Sequence, residues 1–543
     1  MPGHPLLPRP PLPLGGLTLA ALCLLYLLAG LTGHDPWKID DALHFGVVYT
    51  MLGDGNWLVP HLSGEVVLDT PPLYYWVAAL LAKQFGALMP VHDAARLASA
   101  LFAAIFLVEL ALAGLWLHGK EAGSSAVLIA IGSLGLLVPI HETQPQIALL
   151  AASAGFYAAL ALLPTRPLAS GLGAGLALGL GFLAVGVPAL LLLGPPLLLL
   201  PANPHWRKAG ALRGLAIAVL VAIPLVALWP ALLANSYPLS FSTWWSGLVL
   251  QPHGHTLSSL PAYAELLGWF AWPALPLALW SLWLHRRRLS EPQLWLPLLG
   301  SAWTLLALML FYEPRALPAL PLLVPLILLA AAGIGRLRRG ATNAFDWFAM
   351  MTFTLAAALV WLGGFAINLG LPERIANNFS RLQPGFTAHI GWASWLVAAV
   401  ISLGWLWLIA FSPRSPWRGI THWAAGITLM WSLVIALWLP WVDYGKSYRY
   451  LAVGLKQALP TQYRCILERR LGAAQRVSLD YFAGIKTVRA QARGAAACSL
   501  LLEQVNEAGG TPPTGWEKIW EGSRPGDRSE RLRLYRRLAP PSP

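Results

Sequence analysis

The feature that most constrains this chain is a succession of long apolar segments separated by short polar ones. Hydrophobic residues make up 57% of the 543 residues and charged residues only 11%, whereas soluble domains carry about 25% charged residues. An apolar segment of about 18 residues can cross the hydrocarbon core of a bilayer, where only a helix satisfies its own backbone hydrogen bonds. The sequence therefore predicts an all-α polytopic membrane protein.

About thirteen such segments occur along the chain. The first follows a Pro-rich start that contains Arg9. Small residues near Ala29 and Gly30 would suit a cleaved signal peptide, but an apolar length of about 19 residues favours an uncleaved first helix. Prolines make the division between the fifth and sixth segments the least distinct. The approximate limits are 14–32, 94–117, 123–140, 147–164, 168–185, 187–201, 213–233, 264–284, 293–311, 316–334, 347–370, 391–411 and 420–440.

Basic and acidic residues alternate between successive connecting segments. Cytoplasmic loops are enriched in Lys and Arg, so this alternation predicts a cytoplasmic N-terminus, an odd number of spans and an external C-terminus. The formal charge of +13 comes from basic loops and the C-terminal tail, which argues against nucleic acid as a partner. The basic loops hold Lys120, Arg166, Arg207, Lys208, Arg213, Arg286, Arg287, Arg288, Arg336, Arg338, Arg339, Arg414 and Arg418. The opposite segments hold Asp35, Asp40, Asp41, Asp54, Glu65, Asp69, Asp93, Glu142, Glu265, Glu313 and Glu373.

The predicted outer face also carries the longest connecting segments. Residues 33–93 and 234–263 are long, charged and rich in aromatic side chains, and binding sites are often built on such loops. We therefore predict a transmembrane domain over residues 1–443, with the functional loop at 33–93.

Composition changes after residue 443, where charge rises and the apolar pattern shortens. Ser447 suits an N-cap for a helix that reaches Leu459. A small extracytoplasmic α/β domain is predicted over residues 444–543, with strands at 497–502, 515–521 and 530–537 and a turn at 523–527.

The three cysteines only partly indicate whether the chain contains a disulfide. Cys23 lies in the first apolar segment and suits a small core residue. Cys465 and Cys498 lie in the predicted external domain, where export would allow a disulfide. Two free buried thiols remain the alternative.

Two adjacent carboxylates open the informative part of the first outer loop. Asp40 and Asp41 follow the first apolar segment and precede an apolar-periodic stretch, 42–52, that is typical of an interfacial helix. A helix dipole favours carboxylates near its N-terminus, so the pair needs no catalytic role. The other interpretation is that one of them is a catalytic group at the membrane surface.

A series of short motifs follows this pair. They are Gly53-Asp54 with Asn56-Trp57, Pro60, Pro71-Pro72-Leu73-Tyr74-Tyr75-Trp76, Lys83 to Gly86, Ala95-Arg96-Leu97, and Arg315-Ala316-Leu317-Pro318 with Pro321. In this order they resemble the GT-C glycosyltransferases, most closely the aminoarabinose transferase and protein mannosyltransferase-like branch. The resemblance covers most of the chain and implies a GT-C fold, about thirteen transmembrane helices and an exported C-terminal domain. It also implies a bacterial inner-membrane location.

The chain departs from the family pattern at three points. Leu43 stands where the family often has Arg, and Thr70 stands where it has a Lys associated with holding a phosphate group. Glu142-Thr143-Gln144-Pro145 replaces an Asp near a Pro after the third span. These departures keep an inactive homologue open as an interpretation.

The resemblance implies transfer of a sugar from a polyprenyl-phosphate carrier to an acceptor, without a cofactor. The acceptor could be lipid A, another glycan, a lipid or a protein. The family match makes Asp40 the first candidate for the catalytic carboxylate and Asp41 the second. Cations must hold the carrier phosphate. Substrate- and phosphate-binding candidates are Arg315, Arg96, Lys83, Glu142 and Tyr74, although each arginine could instead be an interfacial anchor.

Other polar and aromatic residues on this face carry less weight. His44, His61 and His141 have no ligand spacing that predicts a metal site. Glu109 lies inside the second span, where an acid is a functional candidate by default. Trp244, Trp245 and Tyr263 would suit either a sugar-stacking wall or interfacial aromatics.

A transporter or lipid flippase is the alternative from another class. Transporters commonly show internal repeats and polar sites near the middle of the membrane, whereas the polar residues here concentrate in outer loops. The sequence therefore favours the enzyme, and leaves the sugar, the acceptor, the carrier length and the oligomeric state open.

Overall fold

A computed structural model describes residues 15–37, 39–248, 259–388, 390–492, 495–505, 513–527 and 529–538. The described chain is mainly helical. Its α-helices are α1 Gly16–Leu28, α2 Asp40–Asp54, α3 Leu73–Phe85, α4 Val91–His118, α5 Lys120–Gly132, α6 Pro145–Ala161, α7 Pro167–Val185, α8 Val187–Leu199, α9 Ala209–Ser236, α10 Pro238–Gly247, α11 Leu260–Phe270, α12 Ala274–Leu284, α13 Pro292–Phe311, α14 Ala316–Gly333, α15 Arg339–Leu369, α16 Glu373–Leu382, α17 Trp392–Phe411, α18 Arg418–Lys446, α19 Arg449–Ala458 and α20 Ala473–Ala483. The strands are β1 His61–Leu62, β2 Glu65–Val66, β3 Ile466–Arg469, β4 Thr487–Val488, β5 Leu500–Val505, β6 Trp516–Ser523 and β7 Arg531–Arg537.

Each predicted apolar segment coincides with a helix or with a bent pair of helices. In the described residues, eight helices are long and apolar enough to cross a membrane. Two further candidates are bent: α5 with the 3-10 turns that follow it, by 65°, and α11 with α12, by 101°. Three apolar helices, at Gly16–Leu28, Pro145–Ala161 and Val187–Ala202, are shorter. The predicted membrane helical architecture is therefore confirmed, while a total of thirteen crossings stays a prediction.

Small residues let the helices approach closely. Gly171, Gly175 and Gly179 recur every four residues on one face of α7. A Cβ atom at any of them would come within 2.5 Å of atoms in α9. Small residues at this spacing are typical of membrane helix contacts, because they bring two backbones together. The tight α7–α9 contact thus follows from the glycine spacing.

The C-terminal region forms a small α/β domain around a five-stranded sheet. The strand order is β4-β3-β5-β7-β6, with β3 parallel to β4 and β5, and β7 antiparallel to β5 and β6. The predicted hairpin is present as β6 and β7, and the third predicted strand as β5, although it begins three residues later than expected. The sequence did not predict β3, β4 or α20.

Two local predictions in this domain are met in part or in full. A helix follows Ser447 as predicted, but its N-cap is Tyr448 and it ends at Ala458; the Ser447 hydroxyl accepts a hydrogen bond from the backbone N–H of Arg449 at 2.9 Å. Cys465 and Cys498 form a disulfide, while Cys23 is free and partly buried.

The α/β domain packs directly on the first outer loop. Tyr481 of α20 contacts the rings of Phe45 and Tyr49 on α2 and shares a hydrogen bond with His92 at 2.9 Å. Arg476, also on α20, forms an ion pair with Glu65 at 3.2 Å. The functional loop predicted from sequence and the C-terminal domain therefore lie at the same end of the helical bundle.

The contact between α2 and α20 requires a glycine at position 46. A Cβ there would lie 2.5 Å from Val477 and 2.6 Å from Leu62, whereas a Cβ at Gly53 on the same helix meets nothing within 4 Å. We expect Gly46→Ala to destabilise the protein by about 1–3 kcal/mol through overpacking. Gly53→Ala should be neutral or stabilising, because alanine favours a helix by about 1 kcal/mol over glycine.

Thermal unfolding of the two purified variants in detergent checks this difference. Equal melting temperatures would show that α20 does not pack on α2 as the structure describes.

Candidate active site

The first turn of α2 buries one of its two carboxylates completely. Asp41 is 1% exposed and accepts hydrogen bonds from the Arg96 side chain at 2.8 Å and from the backbone N–H groups of Thr143 at 2.8 Å and Trp37 at 3.1 Å. Burial alone would raise the pKa of Asp41, but the charge and hydrogen bonds of Arg96 hold it well below its usual range. Asp41 is therefore a permanently charged group that ties three segments together.

Arg96 has no donor left for a substrate in this arrangement. Its side chain is completely buried, and its N–H groups donate to Asp41, to Asp93 at 2.9 Å, and to the carbonyl oxygens of His34 at 2.8 Å and Asp35 at 2.9 Å. A contact with carrier phosphate would require it to leave these partners. Its surroundings fit an anchor of the loop better than a phosphate ligand.

Tyr74 is likewise buried and fully bonded. Its hydroxyl accepts from the backbone N–H of Gln144 at 3.0 Å. Because the Ser99 hydroxyl donates to the carbonyl of Glu142 at 2.5 Å, Tyr74 must donate to Ser99 over their 2.6 Å contact. Tyr74 thus holds the 142–144 segment in place, and in this conformation no part of it faces a substrate.

Asp40, in contrast, points out of the helix and is exposed. Burial of part of its side chain raises its pKa, the charge of Arg315 opposes that rise, and Asp41 adds to it. Arg315 lies before α14, exposed, and forms an ion pair with Glu313 at 2.5 Å. The structure therefore brings the accessible carboxylate and an accessible cation into the same electrostatic environment, although they are 275 residues apart in sequence.

Glu142 is a third carboxylate whose ionisation responds to Asp41 and Asp40. Burial, followed by the negative charges of Asp41 and Asp40, raises the pKa of Glu142 to about 8. The side chain lines a cavity of about 150 Å³ together with Trp37, Lys446 and apolar residues of α18. Glu142 is therefore protonated at neutral pH and can donate a hydrogen bond into this cavity.

The structure does not join the remaining candidates to this group. Lys83 lies exposed in the last turn of α3, about 13 Å along the helix from Tyr74 at 1.5 Å per residue. Glu109 is partly buried on α4 beside Gly155 of α6. The roles predicted for both stay predictions.

The three outer histidines are engaged by nearby groups. His44 shares a hydrogen bond with the Tyr75 hydroxyl at 2.8 Å, and His141 contacts the carbonyl oxygens of Leu137 and Tyr26 at 2.7 Å each. His61 lies 3.9 Å from Asp54. Within the described ranges no group of three or more His, Cys, Asp and Glu side chains could hold a metal ion.

The candidate sugar-stacking aromatics lie in different places. The Tyr263 hydroxyl lies within the bundle, 2.8 Å from the carbonyl oxygen of Leu308 and 2.9 Å from that of Tyr312, and its single hydrogen is shared between them. Trp244 is buried and lines a second cavity of about 410 Å³ beside Asp69, while Trp245 is 64% exposed. Trp244 is therefore placed to contact a ligand in this cavity, and its role stays a prediction.

Sequence reasoning missed the residues that connect this site to the C-terminal domain. Arg449 forms an ion pair with Asp35, and the Ser447 hydroxyl donates to the same carboxylate at 2.6 Å. Asp443 accepts from the backbone N–H of Asp35 at 2.9 Å and from the Trp37 indole at 2.8 Å. The only available signal was that these charges lie at the ends of apolar segments, and it does not identify partners more than 400 residues apart.

The raised pKa of Glu142 predicts a pH-dependent stability difference. An unfolded Glu ionises near pH 4.3, so stability from the buried neutral form is fully present below that value and is lost as pH rises to about 8. We expect the melting temperature of Glu142→Gln to exceed that of the wild type by an amount that grows between pH 5 and pH 8. The control variant Glu373→Gln changes an exposed residue, and its melting temperature should differ from that of the wild type by the same amount at every pH. The same result for Glu142→Gln would contradict a buried, neutral Glu142.

Comparison with known proteins gives the family. No family model matches the chain. An undecaprenyl phosphate-α-4-amino-4-deoxy-L-arabinose arabinosyl transferase from Pseudomonas paraeruginosa is 30% identical over 447 residues, covering 78% of this chain and 74% of the relative. The transferase of the same name from Edwardsiella ictaluri is 28% identical over 465 residues, covering 78% and 77%.

Solved structures confirm the fold. ArnT from Cupriavidus metallidurans bound to undecaprenyl phosphate superposes with a TM-score of 0.69 at 16% identity, covering 95% of this chain and 97% of that one. The archaeal oligosaccharyltransferase AglB from Archaeoglobus fulgidus follows with a TM-score of 0.51 at 11% identity, covering 90% and 69%. These likenesses show the GT-C architecture. Taken with the 30% identity over most of both chains, they establish that this chain belongs to the family of undecaprenyl phosphate-aminoarabinose arabinosyl transferases.

Proposed function

We propose that this protein is a membrane glycosyltransferase that moves a sugar from a polyprenyl-phosphate carrier to an envelope acceptor at the periplasmic face. The observation that carries the proposal is the accessible carboxylate of Asp40, which lies on a loop anchored by the buried Asp41–Arg96 pair and whose pKa burial raises and the charge of the accessible Arg315 lowers. The relatives are named for undecaprenyl-phosphate aminoarabinose, so an aminopentose on this carrier is the first donor to test. Lipid A, another glycan, a lipid and a protein are the candidate acceptors.

Asp40 would act on the attacking group of the acceptor. An alcohol oxygen forms the new bond to the anomeric carbon while its proton passes to Asp40, which is a general-base role. The raised pKa of Asp40 favours that proton uptake. A phosphate acceptor is already ionised, and there Asp40 would orient the attacking oxygen instead of deprotonating it.

Arg315 would hold the phosphate that leaves. The carrier phosphate departs with the electron pair of the anomeric C–O bond, and a nearby guanidinium stabilises the charge that develops on it. Arg315 is 73% exposed at the side chain and is paired only with the exposed Glu313 among the described residues, so it can turn toward a ligand. Lys83 remains a second candidate cation, and Lys446 beside Glu142 is a third.

Arg96, Asp41 and Tyr74 support the reaction as positioning residues. Asp41 and Arg96 hold the start of α2 against α4 and the 142–144 segment, and Tyr74 holds that segment from the other side. Thr70 and Leu43, where the family pattern has cations, leave fewer positive charges near Asp40. The interpretation of the protein as an inactive homologue rests on this smaller number of positive charges. The transfer assay described below tests whether the protein is active.

We also propose a topology of thirteen crossings with the N-terminus in the cytoplasm of a bacterial cell. The domain over residues 1–443 would lie in the inner membrane, and residues 444–543 would form the periplasmic domain. Two observations support this arrangement. The basic loops alternate with the acidic segments along the chain, and the C-terminal domain contacts the acidic first loop through Arg476 and Tyr481.

The central experiment is transfer of a radiolabelled aminopentose from undecaprenyl phosphate to an envelope extract. Asp40→Asn should lower kcat about 10²–10⁴-fold with an alcohol acceptor, because the general base is lost. Asp54→Asn, an exposed acid at the other end of α2, is the matched control and should leave kcat unchanged. When the donor concentration is varied in the same transfer assay, Arg315→Gln should raise the KM for the donor about tenfold, which is the range of one charge-assisted hydrogen bond.

The outcomes separate the interpretations. No transfer by a folded wild type that still binds the donor would establish the degenerate homologue. Transfer that is equal in wild type and Asp40→Asn would keep the enzyme and remove Asp40 from its catalytic role.

Single exposed cysteines test the topology. We expect a membrane-impermeant maleimide on intact spheroplasts to label Gln457→Cys on α19 and to spare Arg287→Cys on the loop after α12, since both positions are exposed in the fold. The reverse labelling would overturn the orientation.

A further inference from the structure

A polar cavity lies at the end of the bundle opposite to the candidate active site. The helix α18 begins at Arg418 and reaches the active-site end near Asp443, about 38 Å away at 1.5 Å per residue. A bilayer with its headgroups is about 40–45 Å thick. The start of α18 is therefore at the level of the other membrane interface.

The cavity has a volume of about 530 Å³ and lies between α15 and the segment before α18. Arg414 and Arg418 contribute two positive charges to its lining, and Asn343 and Ser415 contribute uncharged polar groups. Both α15 and α18 begin beside it, at Arg339 and Arg418, so both helix dipoles present their positive ends there. These features favour an anion.

The two arginines differ in what they are already bonded to. Arg418 is held in place, since its side chain donates to the Ser412 hydroxyl at 3.0 Å and to the Ile409 carbonyl at 3.3 Å. Arg414 is exposed, and in the described part of the chain it has no ion pair. The cavity thus combines one fixed cation with one that is free to close over a ligand.

The Ser415 hydroxyl is an independent indication of a ligand-binding site. Its hydroxyl oxygen is buried, lines the cavity, and has no hydrogen-bond partner in the described residues. Buried hydroxyls are almost always hydrogen-bonded, so this hydroxyl is available to a ligand in the cavity. An anionic oxygen in the cavity would accept this hydrogen bond.

Asp346 is the one negative charge in the lining. Its carboxylate oxygens lie 2.6 Å from His422 and 3.5 Å from Arg418. Because Arg418 already offsets the charge of this carboxylate, Arg414 is left as an uncompensated charge. The cavity therefore keeps a net positive character.

We propose that this cavity binds the phosphate group of an anionic phospholipid in the adjacent leaflet. Trp347 lines the cavity and is 62% exposed, as expected of an indole at the headgroup level. The cavity volume is within the range of small-ligand sites. A lipid would place its phosphate between Arg414, Arg418 and Ser415 and its acyl chains along the apolar faces of α15 and α17.

Thermal stability in detergent is the readout, because it does not depend on transferase activity. We expect short-chain phosphatidylglycerol to raise the melting temperature of the full chain, while short-chain phosphatidylcholine at the same concentration does not. Inorganic phosphate at matched ionic strength identifies the source of the anion. Stabilisation by phosphate alone would retain a phosphate site but replace the lipid with a solute, and no shift with either anion would overturn the proposal.

Matched variants test whether phosphatidylglycerol binds at this cavity. Arg414→Gln should raise the Kd for phosphatidylglycerol about tenfold, the size of one charge-assisted hydrogen bond, and Ser415→Ala should raise it less. Arg287→Gln removes an exposed charge from a neighbouring loop at the same end and should leave the Kd unchanged. Equal losses in Arg414→Gln and Arg287→Gln would show that lipid responds only to general surface charge and would overturn the site.

Discussion

The buried ion pair between Asp41 and Arg96 is the interaction on which the outer end of this protein depends. Both side chains are inaccessible to solvent, and two buried charges cost several kcal/mol of desolvation each unless their hydrogen bonds are complete. The structure completes them, because every N–H group of Arg96 has an acceptor and Asp41 collects backbone donors as well. The pair therefore specifies one arrangement of the loop, since any displacement would leave a charge unpaired.

This arrangement decides which of two neighbouring carboxylates is available for chemistry. Consecutive residues on a helix project about 100° apart, so fixing Asp41 inward leaves Asp40 exposed on the outside of the helix. A site whose reacting group is held by a rigid, fully bonded neighbour needs little reorganisation during the reaction. The same pair thus serves the fold by anchoring α2 and serves the proposed chemistry by orienting Asp40.

The sequence predicted the parts of this structure that depend on local pattern. Apolar segment length predicted the helices, and the periodic stretch at 42–52 predicted α2. What it did not predict depends on contacts between distant segments. Arg96 was expected on a phosphate because a family motif places an arginine there, yet its acceptors come from residues 34–41 and 93. The Asp35–Arg449 ion pair had no local signal either, because a charge pattern identifies the end of a helix and not its partner.

Neighbouring carboxylates at this end of the protein have different protonation states at neutral pH because their electrostatic surroundings differ. Complete hydrogen bonding keeps Asp41 ionised, whereas burial beside two negative charges keeps Glu142 protonated. Titratable groups whose environments push their pKa values apart are the usual mark of assigned acid and base roles. Asp41 is too well bonded to take up a proton, and the raised pKa of Glu142 means that it already carries one. Among these three carboxylates Asp40 is the accessible one, so the proposal gives it the role of base. The departures at Leu43 and Thr70 would weaken phosphate binding without removing that base.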